Sequence, residues 1–159
     1  VDPGLNRSDR KKMIAFSLST DKMMWKVPFL DALLLFQVYR SWDEVGWKCD
    51  DPDGVRYLRP YIEQWIEKDF IPEEYRFKYQ PDPAKMSAEA KRFFLSLEPG
   101  MDAITIHNAV FDFAKSNGIE PKAFFAELYN ILIGKEKGPR MGKMVAALGS
   151  ERLRKDLGL

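Results

Sequence analysis

Apolar residues recur at three- and four-residue steps along most of this chain, and that spacing confines it to helices. A helix returns to one face every 3.6 residues, so such steps build a buried stripe; a half-buried strand alternates every second residue instead. Phe29, Leu30, Leu33, Leu34, Phe36 and Val38 form a first stripe behind Pro28, an entry signal for a helix. Tyr57, Leu58, Tyr61, Ile62, Trp65 and Ile66 form a second, with Pro60 expected to kink or split it. Ser87 is an expected N-cap for a helix carrying Phe93, Phe94 and Leu97, which Pro99-Gly100 ends. Residues 101–117 make the next, closed by Asn117-Gly118. Pro121 opens a helix holding Phe124, Phe125, Leu128, Tyr129 and Leu132, with Gly134 after it. Met141, Met144, Val145 and Leu148 mark a short helix stopped by Gly149, and Ser150 is expected to cap one or two further turns with Leu153 and Leu157.

Two stretches break the pattern. Residues 43–54 are polar and read as a break, and residues 71–83, with Pro72, Pro81 and Pro83, read as a loop with one short turn. Met13 to Leu18 is the single strand candidate. The expected fold is all-α, an irregular helical bundle and not a four-helix up-down bundle. Residues 1–20 are expected to be an upstream linker remnant and residues 21–159 a helical domain, with a candidate subdomain boundary near 80–86.

Hydrophobic residues make up 45% of the 159, enough for a real core. Lys and Arg number 25 against 24 Asp and Glu, a net of +1, so any attraction to nucleic acid has to come from local segregation of charge. Cys49 is the sole cysteine, which rules out an intrachain disulfide and a Cys-based metal site and fits a reducing cytoplasm. The longest apolar run, Phe29 to Val38, is interrupted by Asp31 and Gln37 and is too short for a bilayer span. The chain starts at Val1 with no signal-peptide core behind it; we read that start as a cut within a longer polypeptide, although processing or an expression scar would look the same.

Catalytic chemistry finds little support. His107 is the one histidine, with no evident orienter, so Ser17, Ser19 and Asp21 make no triad and packing is the expected role of the ring. Glu63, Glu67, Glu73 and Glu74 are spaced like a solvated face. Lys85-Met86-Ser87 matches half of a Lys-Met-Ser-Lys-Ser loop, but Ala88-Glu89 follows and no nucleotide-binding sheet is evident, so the match is read as chance. No glycine-rich phosphate cradle follows a strand. No catalytic residue and no metal ligand is expected.

The informative segment lies near the C-terminus. From Gly134 to Asp156 there are seven Lys or Arg and three Asp or Glu, a net of +4 in a chain of net +1, so the remainder carries −3. Within it, Gly138-Pro139-Arg140 suits a base pocket: glycine permits close backbone approach, proline stiffens the loop, and arginine presents a planar fork to a base edge or phosphate. The following helix would add free N–H groups at its amino end. On these residues alone, a plain turn with solvated charges explains the pattern equally well. Tyr75, Phe77 and Tyr79, interleaved with Arg76 and Lys78, are a further stacking candidate.

Beyond these physical features, the chain resembles the class I lysyl-tRNA synthetases. The resemblance rests on Ile106-His107, Ala114, Gly118-Ile119, Phe124-Phe125, Tyr129, Leu132 and Gly134, then Gly138-Pro139-Arg140-Met141-Gly142 with Ala147-Leu148. Val27-Pro28-Phe29 and Trp65-Ile66-Glu67-Lys68 add to it, and the likeness spans roughly residues 13–157. It implies a C-terminal anticodon-binding helical cage. By analogy Gly138, Pro139 and Arg140 would meet anticodon bases of lysine tRNA, with Lys135, Lys137 and Lys143 on phosphates. It also implies a cytoplasmic parent ligase in which ATP and magnesium act in an upstream Rossmann domain, with no cofactor held in this portion. No membrane or DNA partner is expected. The alternative is a non-catalytic helical module that binds protein through its Trp- and Tyr-rich surface.

Overall fold

The computed structural model describes residues 27–159, which form eight α-helices and two 3-10 turns. The helices are α1 (Phe29–Tyr39), α2 (Trp42–Cys49), α3 (Pro52–Glu67), α4 (Ala88–Ser96), α5 (Ala103–Ser116), α6 (Pro121–Ile133), α7 (Met141–Leu148) and α8 (Ser150–Leu157). The 3-10 turns span Glu73–Tyr75 and Pro83–Lys85. There is no strand among the described residues, so the fold is all-α. The strand candidate at 13–18 and the linker expected at 1–20 lie outside them.

Most boundaries sit where local chemistry puts them. Ser87 Oγ accepts from the Ala90 N–H at 3.0 Å and starts α4. Asp102 does the same for Thr105 at 2.7 Å and starts α5; the Thr105 N–H, then the Thr105 hydroxyl, hold the Asp102 carboxyl below its ordinary range. Gly134 ends α6 in the left-handed region, at φ +67°, where a Cβ would be strained.

Three expectations are corrected. The polar stretch 43–54 contains α2 and the first turn of α3, because Ser41 and Asp51 cap the two helices and Val45, Gly46 and Val55 bury one face. Pro60 does not split α3, which runs unbroken to Glu67. Arg56 and Pro60 are both on the solvent side, so water can serve the carbonyl that proline leaves without its donor. Ser150 is not a cap: Gly149 holds that position at φ +79°, and Ser150 Oγ is buried with no hydrogen-bond partner among the described residues.

The core runs through both halves. Phe93, Phe94, Phe124, Leu128 and Leu132 are buried beside Met141, Met144 and Leu153, while Leu33, Val45 and Ile62 fill the first three helices. Buried Gln37 links the halves through the loop, donating to Tyr75 O at 2.8 Å and accepting from the Phe77 N–H at 3.2 Å. The same loop is strapped to α6, since Gln80 and Asp82 donate backbone N–H groups to Leu132 O and Ile131 O. Arg152 lies over the rings of Tyr39 and Tyr79, 4.8 and 5.5 Å from their centroids, which ties α8 to α1 and to the loop.

Candidate nucleic-acid interface

Between α6 and α7 the chain turns through Gly138-Pro139-Arg140. A Cβ on Gly138 would lie 2.6 Å from Ile133 Cδ1 and 3.2 Å from two ring carbons of Tyr129, so the glycine admits packing from α6. Pro139 is buried. Its carbonyl accepts a 2.6 Å hydrogen bond from the Tyr129 hydroxyl. Burial pushes that phenol above its usual range, and the Met141 N–H opposes the push. Two residues into α7, Gly142 lies against the backbone of Ala103 at the start of α5. The turn is therefore clamped on both sides, from α6 by Tyr129 and from α5 by Ala103.

Arg140 is the exposed product of that clamp. Its carbonyl accepts from the Met144 N–H at 3.1 Å, but its side chain forms no hydrogen bond or ion pair with another described residue, and no side chain caps α7. Arg140 is the N-cap residue of α7, so its exposed side chain leaves the backbone at the helix's amino end, where first-turn N–H groups lack intrahelical partners. Pro139, expected to meet an anticodon base, is buried instead, and its carbonyl is bound to Tyr129 of α6.

The basic segment divides sharply. Lys135 Nζ donates to Glu73 Oε1 and to Arg76 O, both at 2.8 Å, and holds the Glu73 carboxyl below its ordinary range. Lys143 pairs with Asp31 at 2.6 Å. Arg152 pairs with Asp156 at 3.4 Å, and Arg154 donates to Leu95 O and Leu97 O. Of the seven cations counted from Gly134 to Asp156, Lys137, Arg140 and Lys155 are exposed and lack a described partner. The exposed pairs of Lys135 and Lys143 are weak and can exchange for phosphate.

The aromatic candidates also divide. Phe77 is 4% exposed and cannot stack on a ligand, while Tyr79 donates to Asp156 Oδ2 at 2.8 Å. Burial, then that carboxylate, pushes the Tyr79 phenol well above its usual range. Burial, then the Asp31 and Asp51 carboxylates, push the Cys49 thiol up to about 11.

The sequence pattern missed one surface. Ile104, 74% exposed, and Phe111, 36% exposed, lie on α5 outside its buried stripe of Ile106, Val110 and Ala114. His107 lies between them, exposed, with its ring centroid 5.2 Å from those of both Phe111 and Phe125. The signal was present as a second apolar stripe at 104, 107 and 111, since a helix needs only one stripe to reach a core. Among the described residues, no helix is long and apolar enough to cross a membrane.

An all-α body with a clamped, arginine-bearing turn is the class of protein these observations define. Residues 61–157 match the sequence profile of the anticodon binding domain, and the chain belongs to that family. It is 31% identical over 117 residues to a lysine–tRNA ligase of Methanopyrus kandleri, covering 65% of this chain and 21% of that protein. It is 28% identical over 158 residues to the lysine–tRNA ligase of Thermoplasma volcanium, covering 90% and 31%. With the lysine–tRNA ligase of Archaeoglobus fulgidus the identity is 28% over 181 residues, covering 96% and 36%. The chain thus spans roughly a fifth to a third of the length of these relatives.

Proposed function

We propose that this chain reads the anticodon loop of lysine tRNA on behalf of a longer class I lysine–tRNA ligase. Membership of the anticodon-binding family, with relatives that are lysine–tRNA ligases, carries the reading. The exposed Arg140 on its clamped turn is the proposed base-reading group. Gly138 and Pro139 hold that turn, and Lys137, with Lys135 and Lys143 after partner exchange, meets phosphates. ATP, lysine and magnesium act in an upstream Rossmann domain of the same cytoplasmic protein, and this portion carries recognition without chemistry.

Unpaired bases of a loop expose their edges, and a planar guanidinium matches two acceptors at once. Arg140→Ala is expected to weaken binding of a lysine-tRNA anticodon hairpin by about 1–3 kcal/mol, measured by fluorescence anisotropy of the purified chain. Affinity of the parent chain is expected to fall steeply with salt as counterions are released. Unchanged affinity in the variant removes Arg140 from the interface. Absence of hairpin binding by the parent chain at low salt overturns the reading.

A further inference from the structure

We propose that the exposed face of α5 with Phe125 of α6 is a stacking platform that holds an unpaired nucleotide next to the one met by Arg140. This rests on the anticodon-reading proposal and adds a second subsite to it. Ile104, His107 and Phe111 lie at successive turns of α5 and so share one side of the helix. Their neighbour Phe125 completes a triangle of rings: Phe111 and Phe125 are 5.0 Å apart at 63°, and His107 is 5.2 Å from each. The core has no need of the α5 members of this group, since α5 already buries Ile106, Val110 and Ala114, while Phe125 is partly buried against the core.

Three observations choose a nucleotide as occupant. The first is charge. Among residues three or four positions from a platform residue on α5 and α6, the only charged ones are Lys115 and Lys122. Both lysines are exposed and neither has a described partner, while no carboxylate occupies any of those positions. Rings rimmed by free cations suit a base with its phosphate, since every base has a π-face and stacking tolerates any sequence. The second is continuity with the turn. Tyr129, which clamps Gly138 and Pro139, lies one helical turn beyond Phe125. Ala103, against which Gly142 packs, immediately precedes Ile104. The platform thus adjoins both clamps that hold Arg140. The third is rigidity: rings braced edge-to-face on two packed helices lose little freedom when a base settles on them.

The test uses the 159-residue chain and a lysine-tRNA anticodon hairpin, with 2-aminopurine placed at each loop position in turn. The parent chain is expected to quench the fluorophore at one or two loop positions through stacking. Phe111→Leu, which keeps apolar bulk but removes the π-face, is expected to abolish that quench. His107→Ala with Phe111→Ala is expected to lower hairpin affinity roughly 5-fold to 150-fold while leaving the salt slope unchanged. Phe111→Trp is expected to restore or strengthen binding, an outcome that a merely structural role for the ring does not produce. The platform is overturned if the parent binds the hairpin, Arg140→Ala weakens it, and the Phe111 and His107 variants leave affinity and quench untouched; the anticodon-reading proposal survives that result. It is equally overturned if Ile104→Arg abolishes a concentration-dependent self-association seen by sedimentation but leaves hairpin affinity unaltered, since the face then belongs to a protein contact.

Discussion

Gly142→Ala is expected to destabilise the protein although alanine is the better helix former. Gly142 lies in the first turn of α7, where alanine gains about 1 kcal/mol over glycine in intrinsic propensity. Against that, a Cβ on Gly142 would stand 2.9 Å from the carbonyl carbon of Ala103 and nearer still to its oxygen. The obstacle is backbone in α5 and cannot rotate aside as a side chain does. The α5–α7 crossing must open, which loosens the packing of the two helices' buried residues, Ile106 on α5 and Met141 and Met144 on α7. Overpacking of this kind typically costs about 1–3 kcal/mol, occasionally more, and a backbone obstacle places it at the upper end. The net loss is then about 2 kcal/mol, or roughly 4–8 °C in melting temperature for a domain of this size. Urea unfolding followed by circular dichroism is the assay, with the midpoint lowered and the slope unchanged. Ala103→Gly in the same chain is expected to give no rescue, because the carbonyl and not the methyl is struck. A midpoint equal to or above that of the parent protein refutes the reasoning.

Three further outcomes follow from the same geometry. Tyr129→Phe removes the donor to the buried Pro139 carbonyl and is expected to cost about 1–2 kcal/mol, with hairpin affinity falling as the turn loosens; equal stability by urea unfolding refutes it. Ser87→Ala removes the cap of α4 and is expected to cost about 1 kcal/mol, whereas Ser150→Ala, at a position with no cap bond, is expected to cost less; the reverse order in urea midpoints contradicts the cap assignments. The Glu73 carboxyl is held low by the hydrogen bond from Lys135 and then by its charge, so it contributes stability above the ordinary glutamate range that disappears as pH falls through its folded value. Lys135→Met is therefore expected to lower stability at neutral pH, with the gap to the parent closing toward acid pH; a gap that widens there rules out the pairing.

How legible the molecule was depended on the range of the interactions involved. Ser87, Pro121, Gly134 and Gly149 act on their nearest neighbours, and the boundaries they predict are observed. The helix at Trp42–Cys49 was hidden because only eight residues form it and its one buried face is completed by α1 and α3. Pro60 misled for a related reason: whether a proline breaks a helix depends on which side it faces. The site divides in the same way. The turn at 138–140 stands out by composition, yet the inward or outward direction of each of its residues depends on Tyr129 and Ile133.

Helical spacing, capping residues and the excess of cations near one end are local properties, readable in order along the chain, and they determine an all-α body with a basic turn. Which cations remain available is a different kind of fact. Lys135 finds Glu73 and Lys143 finds Asp31 across 62 and 112 residues, and no local pattern encodes such encounters. Packing decides them, because burying one stripe per helix brings distant side chains within bonding distance and leaves the Arg140 side chain exposed.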